Sequence, residues 1–266
     1  MHLIIARALA SRARNARLFP GKFLVALPFI SKIWLGVAGM LIAFRMLAAS
    51  GPLSLWHCAQ LILALALPVF VLQAVLDRYP AHSLSNQPSL RLARLGRWRQ
   101  IPALECSAFE KYGSGGLLTM LIAGLLLNIP VRVFEFMAAM PAPKLHTPSW
   151  YLSLHDIMLA DLVIFSTCYA ALVGLAIRNV PLFPRLLAAV WLLDLAAQLA
   201  IGGLMAHVPN LPTRVEHGLG ALLTGNMQKV AISMAIWVPY LIMSRRVNLT
   251  YRHRIPVMAR QRSAHR

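Results

Sequence analysis

Six runs of predominantly apolar residues, at 24–47, 53–76, 116–140, 156–177, 186–208 and 219–243, are separated by short polar connections. Each is about as long as a helix needs to be to cross a hydrocarbon core of roughly 30 Å. None alternates apolar and polar side chains every second residue, the signature of a transmembrane β-strand. In lipid a helix satisfies its own backbone, so the pattern predicts an all-α, polytopic transmembrane bundle of six spans. The connection Ser50-Gly51-Pro52 is tight, and it predicts an antiparallel hairpin of the first two spans.

The polar connections orient the bundle. Twenty of the 26 Lys and Arg residues lie before the first run, between runs two and three, between four and five, or after six. The opposite loops carry only Lys144 and Arg214, and four basic residues are inside runs. Basic residues stay on the cytoplasmic side, so both termini are expected there. The composition fits: 59% hydrophobic, 13% charged and mean hydropathy +0.65 leave too little charge to cover a soluble domain of 266 residues. A net charge of +18 would suggest nucleic acid in a soluble protein. Its segregation to one face instead suggests contact with an anionic leaflet and no nucleic-acid partner. The arm at 1–23 is Arg-rich and free of acid. It resembles a mitochondrial presequence in composition but reads better as a basic cytoplasmic arm on the membrane surface. Cys58, Cys106 and Cys168 are scattered and form no C-x-x-C, so neither a disulfide framework nor a thiolate metal site is expected.

The organisation that follows is a basic arm (1–23), a two-span hairpin (24–76), a cytoplasmic linker (77–115), a four-span bundle (116–243) and a basic tail (244–266). Within the linker, Leu92, Leu95 and Trp98 recur beside Arg91, Arg94, Arg97 and Arg99. That spacing predicts an interfacial helix with its arginines on anionic headgroups. Trp56, Trp150 and Tyr151 at one boundary, with Trp237 and Tyr240 at the other, occupy the positions of aromatic belts.

The last span reads Trp237-Val-Pro239-Tyr240-Leu-Ile-Met-Ser244-Arg-Arg246-Val247-Asn-Leu-Thr250-Tyr251, and Val180-Pro181-Leu182-Phe183-Pro184 opens the fifth. Together these resemble a bacterial membrane family, domain-of-unknown-function 2569, over the C-terminal four spans. The resemblance implies a multi-pass protein of the bacterial inner membrane and transfers no catalytic residue. It also disfavours the mitochondrial reading.

Ionisable groups inside a bilayer are expensive unless paired or facing a cavity. The four-span unit carries Asn128, Arg132 and Glu135 on one helix face, then Asp161, then Asp194 and Gln198, then Asn226 and Lys229. Depth along the helices matches Arg132 with Asp161 and Asp194 with Lys229, leaving Glu135 spare. Such pairs serve either as interhelical ties or as a path for a substrate or proton, with Glu135 or Asp161 taking up the proton. His57, His146, His155, His207 and His217 share one side and read as solvated loop residues. Their spacing suggests no metal site and no bis-histidine haem. Six spans and a lone Lys argue against Lys229 as a retinal Schiff base. Gly113-Ser114-Gly115-Gly116 reads as an entry turn before a phosphate cradle. There is no G-x-S-x-G, H-E-x-x-H or phosphate loop, so no catalytic residue and no cofactor is assigned. The first expectation is a transport-like or accessory role toward a small solute or lipid. A scaffold or assembly factor without substrate, acting on a membrane-protein partner or a second copy, is the alternative. An enzyme on a lipid-linked substrate, using Glu135, Asp161 or His155, comes third.

Overall fold

A computed structural model describes residues 2–48, 55–80, 87–88, 95–143 and 146–257, with side chains outside the description at 2–20, 48 and 55. Its elements are α1 (His2–Ala48), α2 (Leu55–Arg78), β1 (Trp98–Gln100), α3 (Ala103–Cys106), α4 (Leu117–Ala139), α5 (Ser149–Ile177), α6 (Phe183–Ala206), α7 (Thr213–Met243), α8 (Arg245–Arg252) and β2 (Arg254–Pro256). Five of these helices contain stretches long and apolar enough to cross a membrane. α7 joins them when taken with α8, to which it is bent by 70°. On its own α7 is diluted by Asn226, Gln228 and Lys229. The chain is a multi-pass helical membrane protein.

α1 is a single helix of 47 residues, which at 1.5 Å per residue is about 70 Å long. It runs unbroken through the segment expected to be a separate basic arm, and its length exceeds any bilayer core. α5 is the centre of the packing. It contacts α2, α4 and α6, and more of its apolar stretch is buried than in any other candidate span among the described residues. α2 packs more extensively on α5 than on α1, so the first hairpin is not a separate layer. Gly174 permits the approach: a Cβ there would lie 2.8 Å from Val75 Cγ1. Small residues at helix crossings serve this purpose in membranes, where close backbone packing replaces the hydrophobic effect.

At one end of the bundle the linker and the tail build a small lobe. β1 and β2 pair antiparallel, with Trp98 opposite Pro256 and Gln100 opposite Arg254. This corrects the interfacial helix expected around Leu95, Arg97 and Arg99. Gly96 takes φ +90°, and the extended chain after it is tied to β2 at both ends, the Val257 amide donating to the Arg97 carbonyl (2.9 Å) and the Ile101 amide to the His253 carbonyl (3.0 Å). Arg97 and Arg99 remain exposed, while Arg91 and Arg94 lie outside the described residues. Ile101, Cys106 and Leu249 form the lobe's core.

The bend between α7 and α8 is held by Asn248, which is fully buried. Its amide donates to the carbonyls of Ile242 and Ser244 (2.9 Å each), and its Oδ1 accepts from Arg252 (2.9 Å) and Arg254 (2.8 Å). Tyr251 then donates to the Ala176 carbonyl at 3.0 Å and packs on Phe183. Thr250 accepts from the Gly113 amide at 3.0 Å. Asn248, Thr250 and Tyr251 thus serve largely as a joint between α7, α8 and the α5–α6 turn.

Candidate functional site

Four helix faces converge between α4 and α7. On α4, Asn128, Arg132 and Glu135 share a face. On α5, Asp161, Phe165 and Tyr169 stand at i, i+4 and i+8, so they form one stripe. α6 presents Trp191, Asp194 and Gln198, and α7 presents Asn226, Lys229 and Ser233. α4 and α7 hardly touch along their lengths. The gap between them is a cavity of about 910 Å³, floored by α5 and α6 and lined among others by Leu125, Arg132, Asp161, Trp191, Asn226 and Trp237. Its size falls in the ordinary range of small-molecule sites, and its walls are mostly apolar.

Arg132 is the centre of the polar floor. Its Nη1 donates to Asp161 Oδ2 at 3.0 Å, and its Nη2 donates to Asp194 Oδ2. The guanidinium lies over the rings of Phe165 (5.1 Å) and Tyr169 (5.7 Å). The Tyr169 hydroxyl donates a hydrogen bond to Asp194 Oδ2 at 2.9 Å. Gln198 donates to Asp161 (3.1 Å) and Asp194 (3.4 Å), and Asn226 donates to Gln198 at 3.4 Å. Asp194 and Gln198 are sealed behind the floor, 0% and 1% exposed, whereas Arg132 and Asp161 face the cavity. At the rim, Lys229 on α7 bridges the gap to Glu135 on α4 at 2.7 Å, with both side chains exposed.

The Arg132–Asp161 pair is the one expected. The Asp194–Lys229 pair is not formed. Asp194 belongs to Arg132, and Lys229 takes Glu135, which depth-matching had left over. Rise along a helix says nothing about azimuth, and the face of α7 that carries Lys229 turns toward α4 instead of α6. Asn128 and Asn226 line the cavity as well. Tyr169 and Phe165 were missed, although their i+4 and i+8 spacing from Asp161 was readable in the chain.

The histidines divide. His146, His207 and His217 are exposed. His57 and His155 are not solvated: they are 4% and 1% exposed, with ring centroids 4.9 Å apart between α2 and α5. The reason is that α5 starts at Ser149, seven residues before the apolar run, which places His155 inside the helix. Arg45 reaches the same region from α1, donating to the Met137 carbonyl at 3.2 Å. Among the described residues no three His, Cys, Asp or Glu side chains are grouped to hold a metal.

No family model, no curated protein and no solved structure matches this chain. Its site therefore rests on its own geometry.

Proposed function

We propose that the chain is a multi-pass protein of the bacterial inner membrane, with both termini cytoplasmic, that binds a small solute or lipid in the groove between α4 and α7 in a transport-like role. One observation carries this reading. Arg132 and Asp161 stand on the wall of an open cavity, where ties that served packing alone would be enclosed between helices. Groove and polar floor together resemble the layout of ligand sites in helical bundles, apolar walls with a few convergent polar groups. The C-terminal resemblance to domain-of-unknown-function 2569 and the basic asymmetry support the bacterial setting and the orientation. Arg97 and Arg99, exposed on the lobe, are suited to anionic headgroups at the same face. An enzymatic role has less support, because Glu135 and Asp161 are each held in an ion pair and His155 is buried outside the groove's lining.

The test uses Gly124 and Gly225, which line the groove with open space where a Cβ would be. Gly124→Cys and Gly225→Cys, each in a Cys58→Ser/Cys168→Ala background, should react in membranes with a water-soluble methanethiosulfonate. Full protection of both positions would mean a closed bundle and a scaffolding role.

A further inference from the structure

Resting on that reading of the groove, the count of charges around it narrows what it holds. Arg132 faces two carboxylates, Asp161 and Asp194. The other groups at hand are neutral donors, Tyr169, Gln198 and Asn226, and the rim pair Glu135–Lys229, which cancels itself. Cys168 is within electrostatic reach of Asp194 but brings no positive charge. With every carboxylate ionised, the site is therefore one positive charge short. An uncompensated charge in a low-dielectric interior is costly, so the site gains by acquiring a proton or a cation.

The two carboxylates are not equivalent. Asp194 receives Arg132, Tyr169 and Gln198 and is closed off from the cavity, so its lone pairs are engaged. Asp161 also receives Arg132 and Gln198, but it lines the cavity, and a ligand can approach it from the groove. Trp191 and Trp237 also line the groove, and the faces of such rings attract ammonium-type charge. An anion finds the opposite: both cations of the groove are already held by carboxylates, and it would have to displace one. We infer that the groove takes an amphipathic organic cation, which enters in exchange for a proton on Asp161. The exchange balances: the Asp161 O–H bond breaks, the proton leaves to water, and the carboxylate keeps the electron pair and faces the cation. Proton and cation compete for one carboxylate.

The experiment is isothermal titration of the full chain in phosphatidylcholine nanodiscs with tetraphenylphosphonium, and with tetraphenylborate as the ion of equal size and opposite charge. Empty nanodiscs supply the partitioning blank. Tetraphenylphosphonium should bind about tenfold tighter or better than the borate, and more weakly by up to about tenfold per pH unit as a proton occupies Asp161. Close to one proton should be released per cation, read from two buffers of different ionisation heat. Asp161→Asn should weaken the cation by about tenfold or more and remove its pH dependence, while Asp161→Glu, which preserves the charge, should keep both. Borate binding that equals or exceeds phosphonium binding and is lost in Gly124→Trp would leave the groove standing and overturn the cation. So would phosphonium binding that Gly124→Trp removes but Asp161→Asn does not. Binding of both ions unaffected by Gly124→Trp would overturn the groove reading itself.

Discussion

Arg132 on α4 holds Asp194 on α6 past the intervening helix, while Lys229, at a similar depth on α7, turns to Glu135 on α4. These two ionic ties therefore run between helices that are not consecutive, and each consequence of that can be measured.

Removing Arg132 leaves two carboxylates facing each other without a counter-charge. Arg132→Met should cost about 3–5 kcal/mol, the usual loss when one member of a buried ion pair is removed. Adding Asp194→Asn should recover part of it, with a coupling of about 1–3 kcal/mol. Lys229→Met combined with Asp194→Asn should be additive to within about 0.5 kcal/mol. Unfolding in detergent measures all three, and a coupling between Asp194 and Lys229 would contradict the observed pairing.

Two glycine substitutions should move stability in opposite directions. Gly174→Ala drives a methyl into Val75 across the α2–α5 contact and should cost about 1–3 kcal/mol through overpacking. Gly124→Ala meets nothing within 4 Å and should stabilise α4 by about 0.5–1 kcal/mol through reduced backbone entropy. Equal effects in thermal unfolding would mean that α2 does not pack on α5 as described.

Cys106 reports on the lobe. It is completely buried, and burial pushes its thiol above the usual range, so at neutral pH it holds less thiolate than a free cysteine. Maleimide should modify it slowly in the native protein. Ile255→Asp, which places a charge against that core, should speed the reaction by about tenfold or more. A Cys106 that reacts as fast as a free thiol in the unsubstituted chain would refute the β1–β2 closure.

Orientation is open to direct assay. Reporters fused after Arg178 or Arg266 should read cytoplasmic and one after Lys144 external, following the positive-inside bias. Reversed readings at all three would invert the bundle.

The apolar helices were readable because length and hydropathy alone define what can cross lipid. Arg132–Asp161 was readable because the two lie on consecutive antiparallel helices at one depth. Asp194 was assigned the wrong partner because matching by axial rise leaves out how each helix is turned toward its neighbours, which residue spacing within one helix does not give. β1 and β2 are three residues each, about 155 positions apart, and carry no local period. His155 was misplaced because its helix extends beyond the apolar run that marked the span.

The packing divides the bundle into two slabs, α2 with α4 and α5, and α6 with α7, which meet along α5 and α6. At one end Tyr251 ties α8, which follows α7, to the α5–α6 turn. Farther along, α4 and α7 stand apart across the groove, and Arg132 and Lys229 each reach from one slab to the other. A proton or a guest that alters the charge those two hold therefore acts on the ties that join the slabs.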